Sequence, residues 1–218
     1  MKKEKQIAEE KKKIKDEPLS NFCITISREY GSGGKYIAEQ LAKRFKIKCY
    51  DNEILKKLAK ETKIDADVLA HLDEESFLYE YAQAKGLAGK DKTTAAEQLF
   101  LAQSKIIEDL YSKGSCIIVG RCAESILSSF PNVFSIFVTA KDKNYKIKRK
   151  MKYEGLTREE AEAKIAKVDK QRASYYKKHT GKIWGEKKNY FMVIDTSETG
   201  IQQTIDKIEE YIRLRLNQ

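Results

Sequence analysis

Short apolar runs alternate with amphipathic segments along the chain from residue 21 onward, and β-branched residues are frequent in the runs. Runs of this kind are typical of strands buried on both faces. We predict five strands, at residues 22–26, 47–50, 115–119, 134–139 and 191–195. Strands that alternate with helices favour an α/β fold with parallel pairing and right-handed crossovers.

The segments between these runs predict helices. Ile37, Leu41 and Phe45 recur at spacings of four, which is the period of one helix face. The C-terminal segment repeats this pattern with Ile201, Ile205, Ile208 and Ile212. Residues 52–112 read as helices joined by polar turns, with a break near 86–92, and a basic helical region follows within residues 141–188. The first 20 residues are rich in Lys and Glu and predict a charged tail, which leaves one domain over residues 21–218.

The composition narrows the class of protein. A chain of 218 residues that is 41% hydrophobic can bury a sizeable core, while its apolar runs are too short to cross a bilayer. The four cysteines contain no CxxC pair and only two histidines are present, so we expect free thiols and no metal-ligating set. We therefore expect a cytoplasmic protein that does not enter a membrane.

The positive charge is concentrated in one stretch. The chain carries 43 basic and 33 acidic residues, a net charge of +10. Residues 141–188 contain 17 Lys and Arg against 7 Asp and Glu, which accounts for the whole excess. A field this concentrated attracts phosphate groups, either on a nucleotide or on a nucleic acid.

A glycine turn follows the first predicted strand and reads Gly31-Ser32-Gly33-Gly34-Lys35. Glycines let the main chain approach an anion, whose oxygens then accept hydrogen bonds from loop and helix amides. The P-loop motif G-x-x-x-x-G-K-[ST] fits in neither of two registers. With Lys35 as the motif lysine, Glu29 falls at the first glycine; with G-S-G aligned instead, Gly34 falls at the lysine. A turn that only packs the helix is the alternative.

Four further residues are candidates for the anion-binding site. Arg121 follows the third strand and Asp51 follows the second, where open α/β sheets bind their ligands. Asp169 and Arg172 are three apart on one helix face, so the carboxylate can orient the guanidinium. The alternatives are a surface arginine, a helix cap at Asp51 and a solvated lysine-rich helix pair. Tyr175, Tyr176 and Trp184 either stack on bases or, as we favour, pack the segment onto the body.

Taken together, these motifs resemble the cytidylate kinase-like family of P-loop nucleoside monophosphate kinases. The resemblance rests on residues 26–34, Tyr50-Asp51, residues 118–121 and Asp169-x-x-Arg172, and it covers residues 21–217. It implies a five-stranded parallel sheet of order 2-3-1-4-5 with a helical monophosphate-binding insertion (52–112) and a basic lid (141–188). It also implies ATP and Mg²⁺ as cofactors and CMP or dCMP as acceptor.

The resemblance also implies roles for individual residues. Gly31, Ser32, Gly33, Gly34 and Lys35 would hold the ATP phosphates. The acceptor would be bound by Asp51, Arg121, Asp169 and Arg172, and catalysis would use Lys35, Arg121, Arg149 and Arg172. Val119-Gly120-Arg121-Cys122 stands where typical cytidylate kinases read Asp-Gly-Arg-Asp, so acidic groups near the metal are missing.

Two other functions are compatible with these residues. A degenerate P-loop protein would bind nucleotide or nucleic-acid phosphates without efficient catalysis, and a kinase with a non-nucleotide acceptor would use the same donor site. The chain contains no recognised nucleic-acid-binding module, which makes a nucleic-acid partner the weaker expectation. We therefore expect a phosphotransferase that uses small nucleotides, because phosphoryl transfer needs positioned positive charge more than a general base.

Overall fold

A computed structural model describes residues 21–51, 54 and 92–217. The charged tail, most of the predicted insertion and nearly all of the predicted break at 86–92 lie outside the described residues. Within them the strands are β1 (Cys23–Arg28), β2 (Lys48–Tyr50), β3 (Cys116–Val119), β4 (Val133–Thr139) and β5 (Met192–Asp195). The helices are α1 (Gly34–Phe45), α2 (Lys92–Ser112), α3 (Ala123–Ile126), α4 (Lys143–Glu154), α5 (Arg158–Thr180), α6 (Thr196–Thr199) and α7 (Ile201–Leu216), with a 3-10 turn at Lys187–Asn189.

The five strands form one parallel sheet in the order β2-β3-β1-β4-β5, which confirms the predicted architecture. Every strand begins or ends within two residues of its predicted limits. The main difference is that β1 continues to Arg28, which pairs in register with Val138 of β4. Arg28 is therefore part of the sheet, and the glycine turn begins after it.

The core lies on both faces of the sheet, and successive residues of each central strand point to opposite sides. Ile24 and Ile26 of β1 pack with the apolar faces of α1 and α7, whereas Cys23 packs on the other face with α2 and α3. The same alternation holds in β3, where Ile118 shares the α2 side. Burial on both faces explains why the strands read as continuous apolar runs.

Helices α4 and α5 pair as a basic hairpin, defined here as residues 143–180. Asp142 caps α4 by accepting a hydrogen bond from the Asn144 amide at 2.8 Å. Thr157 and Glu160 form a reciprocal capping box at the start of α5. Gly155 in a left-handed conformation ends α4. Local capping chemistry therefore sets the limits of both helices.

An aromatic cluster joins the C-terminal part of this basic region to the sheet. Tyr176 is 2% exposed and packs with Phe137 and Tyr190, and the Trp184 ring meets that of Phe137 edge-on at 5.1 Å. The packing interpretation of these aromatic residues is therefore confirmed for Tyr176 and Trp184.

None of the helices in the described part of the chain combines the length and the apolar character that a membrane span requires. All four cysteines are free thiols.

Candidate functional site

The glycine turn joins β1 to α1 and adopts a backbone that only glycine enters without strain. Gly31 and Gly33 have φ angles of 88° and 89°. Gly33 is the N-cap residue of α1 and provides no side-chain cap. The first turn of α1 thus starts with amides that no capping side chain satisfies, which is the arrangement that suits an anion.

Ser32 maintains the shape of this turn. It is fully buried, and its hydroxyl donates to the Glu29 carbonyl oxygen at 2.8 Å. Its own carbonyl oxygen accepts a hydrogen bond from the Thr196 hydroxyl at 2.8 Å. In this conformation the Ser32 side chain therefore stabilises the turn from inside and does not face the surface on which a phosphate would lie.

A cleft of about 800 Å³ opens over the turn. Its basic lining residues are Arg28, Lys35, Arg149, Lys150 and Arg172. Of the residues predicted to bind phosphate or to act in catalysis, six lie in this lining: Gly31, Gly33, Gly34, Lys35, Arg149 and Arg172. Four others lie outside it in the described structure, namely Ser32, Asp51, Arg121 and Asp169.

Two arginines of the basic hairpin reach the turn from different helices. Arg149 of α4 lies so close to Gly33 that a Cβ built there would be 3.1 Å from one of its guanidinium nitrogens. Arg172 of α5 donates from Nη1 to the carbonyl oxygen of Arg28 at 2.9 Å. The sequence predicted both arginines as site residues, and the fold brings them to the same loop.

Asp169 also contacts the turn, because its side chain binds a main-chain amide there. Its Oδ1 accepts the Tyr30 amide hydrogen at 2.6 Å, and its Oδ2 lies 3.5 Å from the Lys146 ammonium. Burial raises the pKa of Asp169, although the Tyr30 amide and Lys146 oppose that rise. Lys146 in turn lies 3.1 Å from Glu29, whose carboxylate also accepts the Ala140 amide at 3.0 Å.

Tyr30 forms a second connection between the turn and the hairpin. Its hydroxyl donates to Glu154 at 2.5 Å, and the Lys150 ammonium lies 3.6 Å from its ring centroid. Burial alone would raise the pKa of Glu154, but hydrogen bonds from Lys150, Tyr30 and Lys164 lower it to about 2. No sequence spacing indicated this group, because Tyr30 and Glu154 are 124 residues apart.

Asp51 lies at the end of β2 and faces α1. Its carboxylate is 2.9 Å from the Lys35 ammonium and 3.8 Å from the Arg28 guanidinium. The hydrogen bond with Asp51 raises the pKa of Lys35, so the lysine is held as a cation. Asp51 therefore holds the charged groups of Lys35 and Arg28 beside the turn.

Arg121 follows β3 as predicted and adopts a positive φ of 63° next to Gly120. Its carbonyl oxygen accepts a hydrogen bond from the Gln103 side chain at 3.2 Å, which joins this turn to α2. A few residues on, the buried Glu124 accepts a hydrogen bond from Ser27 at 3.1 Å. Burial raises the pKa of Glu124 to about 7, so a carboxyl that is neutral at mildly acidic pH lies beneath the end of β1.

Arg28, Glu29, Tyr30 and Lys146 are the site residues that sequence reasoning did not single out. Arg28, Glu29 and Tyr30 lie inside the motif that carried the family resemblance, so position within the motif was their available signal. Lys146 had no signal beyond being one of many lysines in the basic stretch.

The described residues do not assemble a magnesium site of their own. They contain no cluster of three His, Cys, Asp or Glu side chains suited to a metal ion. Neither Lys35 nor Tyr36, which occupy the hydroxyl position of the P-loop motif in its two registers, is a Ser or Thr.

A parallel sheet of order 2-3-1-4-5, with a glycine turn between its first strand and first helix, is the fold of the P-loop kinases. Shikimate kinase from Bacteroides thetaiotaomicron has this fold, with a TM-score of 0.50, 11% identity and coverage of 88% of this chain and 98% of that one. The structure of TT1252 from Thermus thermophilus is similar at a TM-score of 0.54 and 14% identity, covering 90% and 98%.

The sequence narrows this class to one family. The model of the cytidylate kinase-like family matches residues 23–198, and the chain belongs to that family. An uncharacterized protein from Eubacterium ventriosum is 30% identical, with a TM-score of 0.68 over 88% of this chain and 98% of that one. No curated protein matches the chain.

Proposed function

We propose that this protein transfers the γ-phosphoryl group of ATP to a nucleoside monophosphate, with CMP or dCMP as the first choice of acceptor. Membership of the cytidylate kinase-like family supports a phosphotransferase. The observation that carries the proposal is the approach of two hairpin arginines, Arg149 and Arg172, to the glycine turn in one cleft.

The chemistry needs neutralisation of charge more than it needs a base. An anionic phosphate oxygen of the acceptor forms the new bond to the γ-phosphorus, while the bond from that phosphorus to the bridging oxygen breaks and releases ADP. Negative charge develops on the transferring group, and fixed guanidinium groups stabilise it. Arg149 and Arg172 are the residues we assign to this task.

The donor and acceptor sides are assigned to different elements. We assign the ATP phosphates to the turn, with Gly31, Gly33 and Gly34 allowing close approach and Lys35 adding charge. The acceptor side consists of Asp51, Arg121, Asp169 and Arg172. In this assignment Asp51 contacts the acceptor from the end of β2 and Asp169 from the middle of α5, while Asp51 remains paired with Lys35 and Asp169 with the turn.

We assign the basic hairpin as the lid of the site. Lys146, Asp169 and Arg172 make ionic or hydrogen-bonded contacts with the turn, and Tyr30 of the turn also packs on the apolar residues Ile147 and Ile165 of the hairpin. Because Tyr176 of α5 is packed on the sheet, we assign opening for substrate entry to the opposite end of the hairpin, which would exclude water when closed.

A thermal-shift panel tests the proposal. The protein is heated with ATP, CMP, dCMP, UMP or AMP, with and without Mg²⁺, and a ligand specific for the native state raises the unfolding midpoint. At a hundredfold excess over Kd the stabilisation is about 2.7 kcal/mol. A coupled assay of ADP release with each monophosphate then measures turnover, and we expect the highest kcat/KM with CMP or dCMP.

The alternatives give different results in the same experiments. Nucleotide binding without ADP release for any acceptor contradicts the kinase proposal and supports a phosphate-binding protein. ADP release that requires a small hydroxylated acceptor instead of a monophosphate contradicts the choice of substrate. Affinity for DNA or RNA that falls steeply with salt, without a nucleotide-induced shift, supports a nucleic-acid binder.

A further inference from the structure

Arg28 and Gly34 are in close contact at the start of the glycine turn, with the Arg28 side chain lying where a side chain on residue 34 would be. Arg28 is the last residue of β1 and Gly34 is the first residue of α1. A Cβ built on Gly34 would overlap the Cβ of Arg28 and would lie 3.0 Å from its Cγ. A side chain at position 34 is therefore incompatible with the present path of the Arg28 side chain.

The same two positions are the ones at which the glycine turn departs from the P-loop motif. With Gly33 as the second glycine of G-x-x-x-x-G-K, the first glycine falls at position 28 and the lysine at position 34. This chain has Arg at the first position and Gly at the second. The two departures are thus reciprocal. A long cationic side chain stands at position 28, where the motif has glycine, and glycine stands at position 34, where the motif has lysine; the two positions are in contact.

The far end of Arg28 lies between the ends of β2 and β3, at the carboxyl edge of the sheet. Its guanidinium reaches Gly120 at the end of β3, where a Cβ would overlap Nη1, and lies 3.8 Å from Asp51 at the end of β2. Arg28 also lines the cleft over the turn, with a side chain that is 18% exposed. Partial burial strengthens the interaction of a cation with an anion because less water screens it.

We propose that Arg28 is the phosphate-binding cation of this site and takes the place of the P-loop lysine. The proposal rests on the assignment of ATP to this cleft and adds the residue that binds its phosphates. The planar guanidinium keeps its charge at every accessible pH and can bind two phosphate oxygens at once. Gly34 is required because it leaves the path of Arg28 open.

Lys35 is the rival for the same role. Its ammonium lies 2.9 Å from Asp51, and its side chain is 56% exposed, so water screens it more than it screens Arg28. The comparison of Arg28→Gln with Lys35→Gln decides between them, because each substitution removes one charge and retains most of the aliphatic stem. We expect the dissociation constant for ATP, measured by calorimetry, to rise at least about tenfold in Arg28→Gln and less in Lys35→Gln.

A structural role for Arg28 is separated from a binding role by two readouts. The unfolding midpoint without ligand reports on packing, and the ATP dissociation constant reports on phosphate binding. Arg28→Lys, which retains the charge, should recover part of the affinity that Arg28→Gln loses. Loss of stability in Arg28→Gln with unchanged ATP affinity, or a larger loss of affinity in Lys35→Gln, overturns the proposal.

A reciprocal exchange gives a second, independent measurement. Arg28→Gly removes the cation, Gly34→Lys forces a second side chain into the occupied space, and the double variant restores the G-x-x-x-x-G-K part of the motif. With Arg28 replaced by glycine, the nearest remaining atom to a Cβ at position 34 is Val138 Cβ at 3.3 Å. We expect each single variant to weaken ATP binding at least about tenfold and the double variant to regain most of that loss, a coupling typical of residues in contact. Additive losses overturn the proposal.

Failure of the proposed function is distinguishable from failure of this inference. Binding of ATP that depends on Arg28, without transfer to any acceptor, contradicts the kinase proposal and leaves Arg28 as the phosphate-binding residue. Transfer to CMP that survives in Arg28→Gln with unchanged KM for ATP supports the kinase and overturns the role of Arg28. Absence of ATP binding by the wild-type protein, with inorganic tripolyphosphate also failing to bind, overturns both.

Discussion

Arg172 donates a hydrogen bond from Nη1 to the main-chain carbonyl oxygen of Arg28 at 2.9 Å. This bond joins α5 of the basic hairpin to the last residue of β1, although the two residues are 144 positions apart in the chain. Arg172 also lines the cleft. Movement of the hairpin would therefore move one of the cations of the site.

The first prediction concerns Arg172 itself. We expect Arg172→Ala to lower kcat/KM for phosphoryl transfer well over tenfold, because a positioned arginine in phosphoryl transfer contributes on the order of 10³–10⁵ in rate. Steady-state kinetics with ATP and CMP measures the loss. Lys187→Ala is the matched control, since Lys187 belongs to the same basic stretch but is exposed at the 3-10 turn. Turnover of Arg172→Ala close to that of the wild type would refute the assignment.

A second prediction uses the backbone of the glycine turn. Gly33→Ala places a residue with a Cβ at a φ of 89°, which costs about 1–3 kcal/mol, and directs the methyl group against Ile201 Cδ1 at 2.5 Å and the Arg149 guanidinium at 3.1 Å. Gly181→Ala is the control, because Gly181 has a φ of 70° and nothing within 4 Å of a Cβ. Urea unfolding should show a loss of stability in both variants, larger in Gly33→Ala because its methyl group also meets Ile201. Only Gly33→Ala should raise the KM for ATP, and an equal rise in both would contradict a phosphate cradle at Gly33.

The ammonium of Lys146 separates two carboxylates, at 3.1 Å from Glu29 and 3.5 Å from Asp169. We predict that Lys146→Met lowers the free energy of unfolding by about 2 kcal/mol at pH 7, because both carboxylates lose their common partner in a half-buried place. Lys148→Met, on the exposed side of the same helix, should change it by less than about 0.5 kcal/mol.

Denaturant titrations at several pH values check this prediction. The deficit of Lys146→Met should shrink as the pH falls through the raised pKa of Asp169, because protonation of that carboxyl removes its repulsion with Glu29. Equal stability of the two methionine variants at pH 7, or a deficit that grows as the pH falls, would be incompatible with the bridging role of Lys146.

Glu124 makes the stability of the protein depend on pH. Burial raises its pKa in the folded protein to about 7, from 4.5 for an ordinary glutamate. Below pH 4.5 Glu124 is protonated in both the folded and the unfolded state, so it does not change the free energy of unfolding. As the pH rises toward 7, the carboxyl loses its proton in the unfolded state but keeps it in the folded state, and the folded state therefore loses stability. The full loss is about 3 kcal/mol above pH 7.

Glu124→Gln therefore should be more stable than the wild type at pH 8 and nearly equal to it at pH 4, because the amide retains an acceptor for the Ser27 hydroxyl. Thermal unfolding across this range measures the difference, with the exposed Glu198→Gln as the control. A difference that is independent of pH would show that the carboxyl does not titrate in this range.

Much of the architecture follows from local patterns. The apolar runs predicted all five strands, since residues buried on both faces of a sheet are mostly apolar, with Thr25 and Ser27 as polar exceptions in β1. Helix limits such as those at Thr157 and Gly155 follow from capping chemistry within a few residues. The order of the strands came from the family resemblance, because parallel strands pair across long connections that periodicity does not report.

The candidate site was only partly predictable, for the same reason. The glycine turn was identified from its residue types and Arg172 from its spacing to Asp169, whereas the role of Arg149 came from the family resemblance. The ion pair of Lys146 with Glu29 spans 117 residues, and the hydrogen bond of Tyr30 to Asp169 spans 139, so no local spacing indicates either.

The chain by itself determined which segments are buried, where helices start and stop, and which stretch attracts anions, because hydrophobic period, capping and charge are properties of neighbouring residues. Tertiary structure alone decided which of the many lysines and arginines reach the glycine turn. It also placed the Arg28 side chain against Gly34, since only the packing of β1, the turn and α1 brings those two residues into contact.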